Sequence, residues 1–250
     1  MSIFRTRFKN EILTEFLPPM RATKNQRVII LAAGCPSGPN KNEVLKFLSK
    51  KGFWVFFPRY RGSWESKGRF LQKPLDQDLL DVASEIPKGF VDIWSGRKFK
   101  LKPNQIIILG GSFGGAAAIL ASRNKLITKA MSISPLIDQT RPGKDEPFPK
   151  MIKFYEEGYG PAFRIAKNGW AKLKSGKFFN PIKHISEING HKNLIIHAKD
   201  DQTCPYSITK KFALLTNTPL VTLNKGDHLG LSIILQPKFY KIFLKFINEK

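Results

Sequence analysis

The sequence predicts an α/β fold on a mostly parallel sheet, and three observations carry that prediction. Short apolar runs recur along the chain, helical patterns lie between them, and one run leads straight into a Gly-rich turn and an Ala-rich helix. A short continuous apolar run is what a strand covered on both faces looks like. Strands alternating with helices imply right-handed crossovers, and so parallel neighbours.

In chain order, the predicted strands are Arg27–Ala33, Phe53–Phe57, Gln105–Leu109, Ala130–Ile133, Asn193–Ala198 and Leu220–Leu223. Ile3–Phe8 and Ile12–Leu17 suit a hairpin at the sheet edge, and Phe90–Leu101 suits an inserted hairpin turning at Ser95-Gly96. Helical patterns cover Lys41–Lys51, Pro74–Ile86, Phe113–Asn124, Pro205–Thr216 and Pro237–Glu249. Gly52 suits a C-terminal cap, and the acids opening Pro74–Ile86 suit the helix dipole. From Ile137 to Asn189 the rhythm breaks, with five prolines (Pro142, Pro147, Pro149, Pro161, Pro181) among many aromatics. So long a loop is rarely structureless. It predicts a small helical cap insertion, with helices near Lys150–Gly158 and Pro161–Lys174, inside one domain spanning 1–250.

Composition bounds the function. A chain of 250 residues supports one such domain with a substantial core. Apolar residues at 42% and aromatics at 12% exclude a disordered chain. No apolar run reaches the roughly 18 residues that span a bilayer, and Met1-Ser2-Ile3-Phe4-Arg5 has no apolar stretch behind it to make a signal peptide. Two cysteines, Cys35 and Cys204, are too few for a disulfide framework. The expectation is a cytoplasmic protein with reduced thiols. The net charge of +23 would attract polyanions such as nucleic acid, acidic headgroups or cell-wall polymers. Equally, the lysines are spread along the chain, as a general compositional bias would spread them.

The chemistry gathers where Ile106–Leu109 enters Gly110-Gly111-Ser112-Phe113-Gly114-Gly115 and then Ala116–Ala118. This is G-x-S-x-G between strand and helix. A nucleophile at the tip of so tight a turn needs neighbours without side chains, and the following helix points free N–H groups at developing negative charge. No lysine follows at phosphate-loop spacing. A serine hydroxyl needs a base. Of the four histidines, His197 sits inside an apolar strand, and His184 and His191 flank the end of the insertion as surface residues. His228 lies in the Gly-flanked loop Asn224–Gly230 after the last strand, and is the expected base. Asp200 and Asp201 end the strand before it, giving the chain order Ser, Asp, His.

With these residues in view, the sequence resembles the α/β-hydrolase superfamily, especially small esterase-like relatives of the prolyl oligopeptidase and dienelactone hydrolase families. The segment His197–Pro205 is similar to the family's H-G-x-x-D-x-x-V-P, and Arg61–Gly68 to its R-G-x-G-x-S-x-G. The resemblance implies an α/β-hydrolase fold, with Ser112 as nucleophile, His228 as base and Asp201, four residues before Pro205, as acid. Phe113 and Cys35 would supply the backbone N–H groups of the oxyanion hole, with Gly34 second to Cys35. Ala198 and Cys204 stand where the family has Gly and Val. Leu31-Ala32-Ala33 lacks the tyrosine that prolyl oligopeptidase relatives often place there, which weighs against a peptidase. The expected activity is a cofactor-free, metal-free serine esterase acting on a small-molecule ester or acyl substrate. A small aminoacyl amidase is the alternative within the class, and a basic polyanion-binding protein on a hydrolase scaffold the alternative outside it. Both cysteines are expected to be small buried thiols near the site.

Overall fold

The computed structural model describes residues 2–21, 25–145 and 147–249. Met1 of the N-terminal reading, Glu146 of the insertion and the last residue, Lys250, lie outside the described residues. Among these residues, no helix is long and apolar enough to cross a membrane.

An eight-stranded sheet runs in the order β1-β2-β4-β3-β7-β8-β9-β10. Its strands are β1 (Phe4–Phe8), β2 (Ile12–Leu17), β3 (Arg27–Ala32), β4 (Trp54–Pro58), β7 (Gln105–Gly111), β8 (Lys129–Ile133), β9 (Asn193–Ala198) and β10 (Leu220–Leu223). The first two form the antiparallel edge hairpin, β2 meets β4 antiparallel, and all other pairings are parallel. A separate hairpin pairs β5 (Phe90–Val91) with β6 (Lys98–Phe99). The apolar runs are covered on both faces because alternate residues enter two cores. Val28 and Ile30 of β3 with Ile106 and Ile108 of β7 face one core, and Ile29, Leu31, Ile107 and Leu109 face the other. The first core lies under α2 (Leu75–Glu85) and α3 (Phe113–Ala121), and the second under α1 (Asn42–Lys50) and the C-terminal helix Pro237–Asn248. One strand departs from the expectation. β10 is an edge strand and its residues stay partly exposed.

The acids of α2 do more than complement a helix dipole. Asp78 is buried, accepts the Arg61 N–H at 2.8 Å and pairs with the Arg61 guanidinium, which also reaches Asp81 at 2.7 Å and Glu11 at 2.5 Å. The Arg61–Gly68 segment is thereby tied to both the β1–β2 turn and α2.

The insertion corrects one expectation. Its first helix forms as α4 (Phe148–Gly158), but the helix expected over Pro161–Lys174 does not. A single 3-10 turn at Gly160–Ala162 is followed by extended chain, and only Gly169–Lys174 is helical, as α5. The reason is tertiary pairing. Trp64 N–H donates to Ala162 O, Arg164 N–H to Gly62 O, Phe70 N–H to Arg164 O and Ala166 N–H to Phe70 O, all within 2.8 Å. These bonds hold the chain extended against the loop after β4, and pairing of this kind outweighs local propensity. The aromatics of the insertion complete the seam. Tyr155, Phe163 and Phe179 are buried in the same core as the strands, and Phe163 packs on Phe70 at 5.2 Å between ring centres.

Candidate active site

The carboxyl ends of β3, β7, β8, β9 and β10 lie side by side, with Ala32 opposite Gly110, Gly110 opposite Ser132, Ile133 opposite Ile196, and Ala198 opposite Leu223. Loops leaving those ends meet at one rim, the usual ligand edge of a parallel sheet.

At the end of β7, Ser112 adopts φ 53° and ψ −119°, a left-handed backbone held by its surroundings. Two glycines make that turn possible. A Cβ on Gly114 would lie 2.1 Å from Ala32 O, and one on Gly110 would lie 2.2 Å from Gly114 O. Both contacts are with backbone, which cannot move aside cheaply. Gly114→Ala is therefore expected to destabilise the protein by several kcal/mol, on the scale of severe overpacking, about 3 or more. A denaturant titration checks this, and an unchanged midpoint would contradict the turn described. Phe113 opens α3, so its N–H has no carbonyl behind it within the helix. Its ring is buried, 5.1 Å from that of Phe179. The chain leaving β3 passes close by, since a Cβ on Gly34 would stand 3.3 Å from Ser112 Cβ.

His228 Nδ1 lies 2.9 Å from Asp201 Oδ2. A carboxylate only accepts, so the neutral imidazole carries its proton on Nδ1 and keeps its lone pair on Nε2. The Asp201 carboxylate is fully buried and has four partners. Oδ2 also meets His197 Nε2 at 3.0 Å, and Oδ1 accepts from Thr203 N–H at 2.9 Å and Cys204 N–H at 2.8 Å. Burial alone would push this carboxyl up. The hydrogen bonds from His197, His228 and the Cys204 N–H outweigh it and hold Asp201 well below the usual carboxylate range.

Ser112, His228 and Cys35 line one cavity of about 670 Å³, together with Gly34, Pro36, residues of the loop into α1, Phe154 of α4, and Leu229–Ser232. Thus the structure brings Ser112 and His228 to one cavity and joins His228 to Asp201. Phe113 is buried and is not part of the cavity lining. Cys204 is a buried thiol as expected, whereas Cys35 is only half-buried and walls the cavity. Burial pushes the Cys35 thiol up, partly offset by a hydrogen bond with Tyr155. The insertion therefore touches the loop after β3.

Three further residues support this arrangement, and the partners they hold were not predicted from the sequence. His197 is fully buried with both Nε2 partners, Asp201 Oδ2 and Cys204 O, being acceptors, so Nε2 carries the proton. A polar ring inside an apolar strand must find such a partner, and that was the available signal. Asp200 accepts from Gly226 N–H at 3.3 Å and Asp227 N–H at 3.0 Å, bracing the loop that carries His228. Ser134 Oγ accepts from Leu229 N–H at 3.2 Å on the same loop.

This sheet, with a strained serine between β7 and α3, defines an α/β-hydrolase. The model of the prolyl oligopeptidase family matches residues 39–250, and the chain belongs to that family of serine hydrolases. Pyrococcus horikoshii acylaminoacyl peptidase is similar in structure at 19% identity and a TM-score of 0.65; the match covers 100% of this chain and 41% of that one. The chain thus spans about two fifths of the peptidase's length. A Pyrococcus furiosus esterase is similar at 16% identity and a TM-score of 0.66, covering 98% of this chain and 89% of that one. Est1E from Butyrivibrio proteoclasticus is similar at 16% identity and a TM-score of 0.65 over 100% of both chains. At such identities the likeness is one of fold. A search of curated proteins gives no match.

Proposed function

We propose that the protein hydrolyses carboxylic esters through Ser112, His228 and Asp201. The observation that carries this reading is the buried Asp201 carboxylate fixing His228 by Nδ1 at the cavity that Ser112 also lines. In the reaction, Ser112 Oγ attacks the ester carbonyl while His228 Nε2 takes its proton. Asp201 stabilises the imidazolium, and the Phe113 and Cys35 N–H groups hold the oxyanion. His228 then gives the proton to the leaving alcohol, and water, activated by the same nitrogen, hydrolyses the acyl-Ser112 ester. A series of p-nitrophenyl esters set beside aminoacyl p-nitroanilides tests the proposal. Ester turnover is the expected result, and turnover confined to the anilides would replace it with an amidase. The amidase reading is favoured by the family itself and by the acylaminoacyl peptidase likeness.

The stretch 137–189 acts in this reading as a cap on the acyl path, mainly through one residue. Most of its aromatics are spent on packing, but Phe154 is 52% exposed. With Pro36, Phe154 lines both the main cavity and a second one of about 270 Å³ lined also by Met151, Lys150, Asp145 and Thr203. Phe154→Ala would join the two spaces. The kcat/KM ratio of octanoyl to acetyl p-nitrophenyl ester is expected to rise on the order of tenfold, the scale on which a few methylenes discriminate. An unchanged ratio would remove Phe154 from the acyl path.

A further inference from the structure

We infer that the natural substrate carries an anionic group, of carboxylate or phosphate chemistry, which is held at the mouth of α1 by Lys41. The inference rests on the hydrolase reading of the same cavity and adds a specificity to it.

The cavity has two unlike ends. Towards α4 its wall is Pro36 and Phe154, but towards α1 it is Ser37, Asn40, Lys41, Asn42, Glu43 and Val44, with Ser232 alongside. Lys41 is half-buried, and its ammonium has one hydrogen bond among the described residues, to Gly38 O at 3.4 Å, and no ion pair. An ammonium has three donors, so two remain for a ligand. Lys41 is also the N-cap of α1 and gives no side-chain cap to the helix. Asn40 Oδ1 accepts the Asn42 N–H at 2.9 Å, and the next N–H groups, on Glu43 and Val44, have no carbonyl behind them within the helix. Ammonium, helix N-terminus and the Asn40 and Asn42 carboxamides thus present donors to one end of the space that holds Ser112. Donors in that number, around a half-buried cation, recognise an anion.

The ionisable groups on this cavity are Lys41, Glu43, His228 and the Cys35 thiol, which burial disfavours as an anion. Glu43 is exposed and opposes an anion through solvent, whereas Lys41 acts from the half-buried wall. At long range the balance is one-sided, because the chain carries +23. That field draws anionic substrates to any face of the protein, and Lys41 converts the general attraction into a positioned one.

The test separates the local charge from the field. Wild type, Lys41→Gln, Lys41→Arg and the control Lys46→Gln, an exposed lysine of the same helix outside the cavity, are compared on two ester pairs. One pair places the anion on the acyl side, mono-p-nitrophenyl adipate against p-nitrophenyl hexanoate. The other places it on the leaving group, 4-carboxyphenyl against 4-(methoxycarbonyl)phenyl hexanoate. In one pair, wild type is expected to prefer the anionic ester in kcat/KM. Lys41→Gln should lower that preference about tenfold, the scale of a hydrogen bond to a charged group. Lys41→Arg should retain most of it, and Lys46→Gln should leave it intact. No preference in either pair overturns the inference, as does a preference that survives Lys41→Gln. Failure of wild type on all four esters would instead overturn the hydrolase reading, so the two failures are distinguishable.

Discussion

Ser112→Ala is expected to lower kcat on the order of 10⁶-fold, the loss that follows removal of a triad nucleophile. The same variant should lose all labelling by a fluorophosphonate probe, which the wild type should show on Ser112. Stability supplies an independent readout. Ser112 sits at φ 53° and ψ −119°, outside the regions that a residue with a Cβ prefers. Alanine keeps that strain, so its unfolding midpoint should stay close to wild type. Glycine releases it, and Ser112→Gly should gain stability on the order of 1–3 kcal/mol while being equally inactive. A variant that is inactive yet more stable marks a residue held in strain for chemistry. Wild-type turnover by Ser112→Ala would end the proposal.

The next largest effect is expected at Asp201. Asp201→Asn should lower kcat roughly 10³- to 10⁴-fold, because an amide nitrogen facing His228 favours the wrong tautomer. Asp200→Asn should cost less than about tenfold, since an asparagine oxygen can still accept from the Gly226–Asp227 backbone. The reverse ordering would move the acid to Asp200. Asp201 also predicts a pH dependence of stability. Its folded-state carboxyl lies below the ordinary value, so its contribution is fully present above about pH 4 and is lost as pH falls through the folded value. The stability gap between wild type and Asp201→Asn should therefore hold above about pH 4 and shrink in more acidic solution. A gap that widens on acidification would show the carboxyl is not held ionised.

Much of the fold was legible because its signals are local. Val28–Ala32, Ile106–Leu109 and Leu194–Ile196 are apolar throughout, which is the pattern of a strand between two cores. The Gly110–Gly115 turn was legible for a related reason. A backbone that passes 2.1 Å from where a Cβ would stand permits only glycine, and so the steric demand is written in the residue type. The course of Phe163–Ala166 was not legible. Its partners are the Gly62–Phe70 loop, about a hundred positions earlier in the chain, and no periodicity within the segment records that pairing.

The candidate site divides in the same way. Ser112 and His228 were named from their own loops at strand ends and from chain order, and Asp201 was preferred to Asp200 on the resemblance to the family's acid loop. Tertiary structure alone decided their neighbours: His197 and two backbone N–H groups on Asp201, Asp200 beneath the histidine loop, Tyr155 of the insertion against Cys35, and Lys41 on the wall that Ser112 shares. The physical reason is range. A turn or an apolar strand is a property of a few adjacent residues, whereas a buried charge takes its partners from whatever elements the packing brings within about 3 Å.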